Sequence, residues 1–288
     1  MTPGADIAAA RAALRRVVAS DADVANATLE PLHGGLHRRS WLVTFADGRR
    51  CVLRAPVERS SALLDLTAEA DAMMAAARAQ LAPRVVAVAP YEGVLLTEYR
   101  AGPAWTPAVA RRMANIPRLA ATLRLLHTVA TSLPVFAAER IARSYVDELG
   151  SAMAEPKFVR RAEDLLALAR RYDATYAPTA FCHNDLVAAN VLDDGKLSLV
   201  DFEYAVRATP LLDLANFAGM NGLGLAEQRL LLESYQRDTP TTAALAELAT
   251  MVRMVRLLAW FWAELGAGRA ADPVPHRALA AELDAALQ

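Results

Sequence analysis

Apolar positions recur along the chain with two periods, one typical of helices and one typical of strands. The change from one period to the other marks the boundaries of the predicted elements. Near the start, Ile7, Ala10 and Leu14 recur at helical spacing, which predicts an amphipathic helix. Two short β-prone runs then flank Asp47-Gly48, a dipeptide typical of the turn in a β-hairpin. The first part of the chain is therefore predicted to combine helix with antiparallel strands.

The pattern farther along predicts a longer helical part interrupted once. Residues 61–80 place apolar side chains on one helical face, and 85–88 and 94–99 have the pattern of short strands. Prolines and glycine then mark a linker at 102–107. Beyond it, helices are predicted over 108–130, 141–172, 226–235 and 243–265. The exception is 180–205, which predicts a loop, two strands joined by a turn, and a second loop.

Polar residues on either side of that turn indicate phosphoryl-transfer chemistry. The segment 183–190 has the order H-x-D-x-x-x-x-N, and Asp201-Phe202-Glu203 follows the second strand. Phosphoryl transfer requires a carboxylate beside the attacking hydroxyl and oxygen ligands for magnesium. We expect the hairpin to bring these residues together, with Asp185 orienting or deprotonating the hydroxyl and Asn190 and Asp201 holding Mg²⁺. The alternative is a loop with ordinary turn-favouring Asp and Asn residues. We expect His183 to hold the loop by hydrogen bonds rather than to take part in catalysis.

These motifs resemble the phosphotransferase family of aminoglycoside, choline, ethanolamine and thiamine kinases. The string VDFEYAVRATPLLDLANFA at 200–218 is most similar to the choline/ethanolamine kinase branch. The resemblance implies an α+β, two-lobed protein-kinase-like fold. A small antiparallel-sheet N-lobe would span 1–99, and a larger, mainly helical C-lobe would span 100–288. It also implies ATP and Mg²⁺ as cofactors, Asp185 as the catalytic carboxylate, and Asp213 as a brace for the catalytic loop.

The resemblance extends to the nucleotide side of the site. GGLHRRSWLV, CVLRAP and LLTEYRAG are similar to the family's glycine loop, third strand and hinge. By this likeness, the glycines approach phosphate, an arginine contacts ATP phosphates and pairs with a helix glutamate, and the hinge offers backbone groups to adenine. The residues concerned are Gly34, Gly35, Arg54, Glu69, Glu98 and Tyr99. The alternative for the arginine is a strand side chain that faces water.

The acceptor side rests on weaker patterns. On the predicted helix at 243–265, Trp260 shares a face with Glu264 and Arg256, and an aromatic face beside a carboxylate suits a quaternary ammonium. Trp262 continues an apolar stripe and is expected in the core, although simple helix packing accounts equally for either tryptophan. Two residues that follow Asp201 are further acceptor-side candidates: Glu203 and Tyr204.

Charge and cysteine content argue against several kinds of binding partner and structural site. The chain has 31 basic and 32 acidic residues, so it has no global basic field to hold nucleic acid or an anionic membrane. Cys51 and Cys182 form neither a disulfide framework nor a Cys-x-x-Cys zinc pair. No apolar run approaches the ~20 residues of a membrane span, and the first residues lack the order of a signal peptide. These features predict a cytoplasmic protein without an obligate protein partner.

The sequence therefore predicts an ATP-dependent kinase that transfers the γ-phosphate to a hydroxyl of a small cationic acceptor. Choline or ethanolamine is the first expectation, although 219–222 lacks the acidic residue and tyrosine that help to hold the ammonium in eukaryotic choline kinases. Thiamine or an aminoglycoside is the alternative on the same fold. A nucleotide-binding pseudokinase that regulates a partner is the alternative of another class, and adenylyl transfer or protein phosphorylation also remains open.

Overall fold

The computed structural model describes residues 3–32, 38–56, 66–150, 155–270 and 272–288. The chain forms two compact units. The first comprises Met1–Ala104 and Asn190–Ala205, and the second comprises Trp105–Ala189 and Val206–Gln288. The first unit thus extends past the boundary expected at residue 99, and it also contains the hairpin that lies within the second half of the sequence.

The described residues form helices and strands in an order that confirms an α+β fold. In chain order they are α1 Pro3–Leu14, α2 Asp21–Asn26, β1 Thr28–Leu32, β2 Arg38–Thr44, β3 Arg50–Pro56, α3 Leu66–Arg78, β4 Val85–Ala89, β5 Val94–Glu98, α4 Pro107–Ala110, α5 Ile116–Leu126, α6 Ala138–Leu149, α7 Pro156–Thr175, β6 Ala180–Cys182, β7 Val191–Asp193, β8 Leu197–Leu199, β9 Val206–Ala208, α8 Pro210–Met220, α9 Leu225–Gln236, α10 Thr242–Arg269 and α11 Val274–Ala286. Short 3₁₀ turns lie at Pro90–Glu92 and Ala188–Asn190.

The first unit is built on a five-stranded antiparallel sheet with the order β1-β2-β3-β5-β4. The predicted hairpin is β2–β3, and Gly48 in its turn has a φ of +84°, a conformation that glycine adopts without steric cost. Alternate side chains such as Trp41 and Val43 are buried against α1 and its neighbours. The helix predicted over 61–80 is α3, while 61–65 lies outside the described residues.

The hairpin β7–β8 is bonded to the first unit, which explains why the unit boundary differs from the expected one. The backbone N–H of Leu199 donates to the carbonyl of Leu81 at 2.7 Å, and that of Asp193 donates to Pro103 at 3.0 Å. At Gly102, a Cβ atom would lie only 2.6 Å from the carbonyl carbon of Asp193. Only glycine permits this approach.

The second unit is mainly helical, and two of its predicted helices are each divided. The predicted 108–130 helix becomes α4 and α5, because Pro117 lies in the first turn of α5, where its missing N–H costs nothing. The predicted 141–172 helix becomes α6 and α7, separated at Gly150 (φ +49°) and restarted at Pro156. The sequence reading also missed α11.

Helix α10 has neighbours on several sides, which corrects the expectation for its tryptophans. It packs against α6, α7, α8, α9 and α11. Trp260 is fully buried, with ring contacts to Phe158 and Phe261, whereas Trp262 is only half-buried and lies against His276. A single apolar stripe therefore does not identify the core side of this helix. Among the described residues, no helix is long and apolar enough to cross a membrane.

Candidate active site

Arg54 gathers three carboxylates within the first unit. From β3, one guanidinium nitrogen lies 2.6 Å from Oδ1 of Asp201, and another lies 3.2 Å from Oε1 of Glu69 on α3. An Oε2 atom of Glu203 lies 4.0 Å from the first of these nitrogens. The predicted Arg54–Glu69 pair is thus present, and the alternative in which Arg54 faces water is wrong, because its side chain is only 12% exposed. We call these four residues the Arg54 cluster.

The Arg54 cluster carries more negative than positive charge. Burial by itself lowers the pKa of Arg54, but the carboxylates of Asp201, Glu69 and Glu203 raise it well above its usual range, so the guanidinium stays charged. The cluster thus places three carboxylates around one charged guanidinium.

The hairpin β7–β8 brings Asn190 close to Asp201 along the backbone. The carbonyl of Asn190 accepts the N–H of Val200 at 3.0 Å, immediately before Asp201. Asp201 has a φ of +69°, which is unusual for a residue with a side chain, and such strain clusters at functional sites. The amide oxygen of Asn190 and the carboxylate of Asp201 are the hard oxygen ligands that Mg²⁺ prefers, so the donor set fits this ion. Asp185 belongs to the second unit, and its convergence with these residues stays a prediction.

In the second unit, Asp213 holds the loop that carries Asp185. Its two carboxylate oxygens accept the backbone N–H groups of His183 and Asn184, each at 2.8 Å. The φ of Asn184 is +61°, so the backbone turns sharply just before Asp185. Nδ1 of His183 accepts the N–H of Asp185 at 3.3 Å, which agrees with the expected role of His183 in holding the loop.

Two asparagines that the sequence reading did not single out continue this support. Oδ1 of Asn216 accepts the N–H of Leu186 at 2.6 Å, and its Nδ2 donates to the carbonyl of Asn184 at 3.2 Å. Oδ1 of Asn221 accepts the N–H of Ala188 at 2.7 Å, and its Nδ2 donates to Leu186 at 2.8 Å. With Asp213 they form what we call the α8 template, a row of side chains that bonds to the backbone of 183–188. The only sequence signal was the D-L-x-N string at 213–216.

Asp213 also has side-chain neighbours from distant parts of the second unit. His127 and Cys182 have ligand-type atoms within 4.8 Å of its carboxylate and of each other, a spacing that suggests a metal. Each is already engaged, however: His127 contacts Asp213 and Tyr235, and the thiol of Cys182 donates to the carbonyl of Thr209 at 3.4 Å. The group is a hydrogen-bond network, and burial raises the pKa of the Cys182 thiol well above its usual value.

Of the remaining candidates for nucleotide binding, the structure describes the two hinge residues but not the two glycines. Gly34 and Gly35 lie outside the described residues. The backbone N–H of Glu98 donates to Arg84 at 2.9 Å, and that of Tyr99 donates to Arg50 at 3.1 Å. These amides are therefore engaged in the sheet, and any contact of Glu98 or Tyr99 with adenine would rest on their carbonyl groups.

The acceptor-side candidates on α10 do not form an exposed aromatic face. The ring of Trp260 is covered by cationic side chains of α7, with the guanidinium of Arg161 at 4.4 Å and the ammonium of Lys157 at 5.2 Å. The aromatic face that was expected to receive a cationic acceptor is therefore already occupied, which corrects the assignment of Trp260. Glu264 is half-buried, and desolvation raises its pKa. Tyr204 is half-buried in the first unit.

Comparison with known proteins gives consistent matches along most of the chain. A family model described as a phosphotransferase enzyme family matches residues 28–248. Ethanolamine kinase 2 of Mus musculus is 28% identical over 191 residues, which cover 61% of this chain and 49% of the mouse protein. The match therefore spans about half the length of that curated relative.

Solved structures of low sequence identity share the fold. A choline/ethanolamine kinase family protein from Mesorhizobium loti has a TM-score of 0.81 at 24% identity, with 98% of this chain and 93% of that chain covered. Choline kinase LicA from Streptococcus pneumoniae has a TM-score of 0.74 at 17% identity, with coverage of 90% and 93%. LicA in complex with AMP has a TM-score of 0.73 at 19% identity, with coverage of 91% and 92%.

Proposed function

The chain belongs to the phosphotransferase enzyme family, and from this premise we propose that it is an ATP-dependent small-molecule kinase. It transfers the γ-phosphate of ATP to a hydroxyl of a small cationic acceptor, with choline or ethanolamine first. The observation that carries this proposal is the Arg54 cluster, in which one buried arginine contacts three carboxylates that include Asp201.

The Arg54 cluster has the composition that a metal–nucleotide site needs. Asn190 and Asp201 would hold Mg²⁺. When bound, Mg²⁺ neutralises charge on the phosphate oxygens. Arg54 forms bidentate contacts with phosphate more readily than a lysine does, and Glu69 fixes its position from α3. AMP in the LicA complex supports an adenine nucleotide as the ligand.

Asp185 supplies the catalytic carboxylate in this proposal. Its loop is held at successive backbone groups by the α8 template, so the carboxylate is presented from a fixed backbone. It orients the acceptor hydroxyl and accepts its proton as the phosphoryl group is transferred. A preorganised carboxylate raises the rate because no reorganisation is needed during the reaction.

The acceptor class rests on the names of the relatives and on the charge of candidate residues. The curated relative is an ethanolamine kinase and LicA is a choline kinase. Both names indicate an amino alcohol, which carries a cation beside its hydroxyl. The carboxylate of Glu203 and the ring of Tyr204 are the candidates to receive that cation.

The test is ADP release by the purified chain with MgATP and a panel of acceptors. The panel contains choline, ethanolamine, thiamine, several aminoglycosides and simple amino alcohols, with Asp185→Asn as the control variant. We expect turnover with one acceptor, loss of turnover in the variant, and a product heavier by one phosphoryl group. A product heavier by an adenylyl group would contradict phosphoryl transfer. MgATP binding without turnover on any acceptor would favour the pseudokinase alternative.

A further inference from the structure

A chain of hydrogen bonds links two distant helices of the second unit to the loop that carries Asp185. The hydroxyl of Tyr235 on α9 lies 2.7 Å from Nδ1 of His127, the residue that caps the C-terminal end of α5. Nε2 of the same ring lies 3.1 Å from Oδ2 of Asp213. That oxygen also accepts the N–H of His183, two residues before Asp185.

The hydrogen-bond directions in this chain can be assigned from its chemistry. Both oxygens of the Asp213 carboxylate accept backbone N–H groups, so we assign the hydrogen of the third contact to Nε2 of His127. Burial raises the pKa of Tyr235 to about 12, which keeps its hydroxyl protonated at neutral pH. With the hydrogen on Nε2, Nδ1 accepts from the hydroxyl of Tyr235, and the ring donates to Asp213. The donors therefore run in sequence toward the carboxylate.

His127 is the third donor to Asp213, and its contact limits how the carboxylate can rotate. Two backbone amides of the loop bind different oxygens of Asp213, and His127 binds the same oxygen as the first amide. These contacts hold the carboxylate plane so that both amides are satisfied at once. Asn184 depends on them, because its left-handed backbone conformation carries a steric cost that its surroundings must offset.

We propose that Tyr235 and His127 are positioning residues for phosphoryl transfer, which fix Asp213 and through it the backbone that orients Asp185. The inference rests on the proposed function, since their effect on the reaction passes through that carboxylate. It assigns a role to α5 and α9, which contribute none of the candidate catalytic, metal or nucleotide residues.

Simple packing is the competing explanation. The rings of His127 and Tyr235 also meet edge to face, with centroids 5.5 Å apart, and any loss there would lower stability. Packing alone predicts a lower melting temperature with unchanged kcat per folded molecule. Positioning predicts a lower kcat with an unchanged KM for MgATP, because no nucleotide contact is altered.

The experiment measures steady-state kinetics and backbone amide hydrogen exchange on four variants of the full chain. The acceptor is whichever of choline or ethanolamine the wild type phosphorylates. We expect kcat to fall ~10²-fold in His127→Leu, because small displacements of catalytic groups carry costs of that order. We expect a fall of about 3–10-fold in Tyr235→Phe, which loses a single hydrogen bond. KM for MgATP should stay within about twofold in both, since only the transition-state interaction is altered.

Two further variants separate positioning from packing. His127→Gln can still donate to Asp213 from its side-chain amide and should recover most of kcat. Tyr145→Phe is the matched control, because burial also raises the pKa of Tyr145 to about 12 and its place on α6 is outside the network. Its kcat should equal that of the wild type.

Each outcome decides the proposal. A fall in kcat with faster exchange confined to the amides of 183–185 would support it. Unchanged kcat in folded His127→Leu, or equal losses in Tyr145→Phe and Tyr235→Phe, would overturn it. If the wild type phosphorylates neither acceptor, that result counts against the proposed function. Hydrogen exchange alone then tests whether His127 and Tyr235 position the loop. Exchange at 183–185 that does not change in His127→Leu would then reject it.

Discussion

The Arg54 cluster and the α8 template hold their residues by opposite means. The Arg54 cluster consists of charged side chains, with excess carboxylates and an Asp201 side chain that is 22% exposed. The α8 template has one buried carboxylate and two amides that bond to backbone groups. The first suits an exchange of partners when a cation and phosphates arrive. The second suits a geometry that stays constant through turnover.

This difference has a physical origin. Ionic contacts are weakly directional, and they respond to added ions where solvent reaches them, as at Asp201. Hydrogen bonds from buried groups to a backbone are directional, and leaving one group unpaired costs free energy. A kinase needs both kinds of support, because it must bind and release a charged nucleotide while it keeps its catalytic carboxylate oriented.

The largest expected effect on stability is that of Asp213→Ala. The change leaves two loop amides and His127 without their acceptor in a fully buried place. We expect the free energy of unfolding to fall by about 4 kcal/mol, from roughly 1–3 kcal/mol for each unpaired buried group. Denaturant unfolding measures it. Added Mg²⁺ should not restore the lost stability. If it did, the α8 template would depend on bound ions, which would contradict the account.

Arg54→Met tests whether the Arg54 cluster is ionic. Removing the guanidinium takes away a cation that contacts three carboxylates, and we expect a loss of about 3 kcal/mol in unfolding free energy. Here Mg²⁺ should restore part of the stability, because a bound cation stabilises the folded state by mass action. Thermal unfolding with and without Mg²⁺ gives the comparison, and Arg54→Lys is the control that retains charge. No difference between Met and Lys would contradict an electrostatic role.

Asn221→Asp is a smaller change within the α8 template. It keeps the oxygen that accepts from Ala188 but replaces the Nδ2 donor to the carbonyls of Leu186 and Phe217. An oxygen facing two buried carbonyls should cost about 2 kcal/mol in unfolding free energy. The same substitution at exposed Asn26, the last residue of α2, is the control and should stay within about 0.5 kcal/mol of the wild type. Equal effects at the two positions would contradict the template.

Thiol labelling of the two cysteines, one in each unit, compares how readily the two units open without any substitution. Burial raises the pKa of Cys51 and of Cys182, so the folded chain holds each thiol proton more tightly than the unfolded chain. Their contribution to stability is therefore lost as pH rises above ~8.5. Thiol labelling at pH 8, followed by peptide mass spectrometry, should modify Cys182 at least about tenfold more slowly than Cys51. The reverse order would mean that the second unit opens more readily.

Local sequence signals predicted the sheet and the polar motifs better than they predicted long-range contacts. The hairpin β2–β3 and the strands β4 and β5 follow from alternation and turn residues. Arg54 and Glu69 were identified through the resemblance, and the structure pairs them. The contacts of Tyr235 with His127 and of His127 with Asp213 were not predicted, because these residues lie far apart in the sequence.

The tryptophans of α10 show a second limit. Helical spacing gives the direction of each side chain but not which sides of the helix are covered. Since α10 has several neighbouring helices, Trp260 is buried on the side that had been proposed for the cationic acceptor. The approach of β7–β8 to Gly102 was equally unpredictable, because only the folded backbone shows why a glycine is needed there.

Equilibrium binding of MgATP to Asp185→Asn and Arg54→Met tests the division between the two regions most directly. The account predicts that Asp185→Asn keeps a dissociation constant within about threefold of the wild type, because it removes a group that acts on the acceptor. It predicts that Arg54→Met binds at least ~10-fold more weakly, since a charged hydrogen bond to phosphate is lost. Equal affinities in the two variants, or weaker binding only in Asp185→Asn, would contradict it.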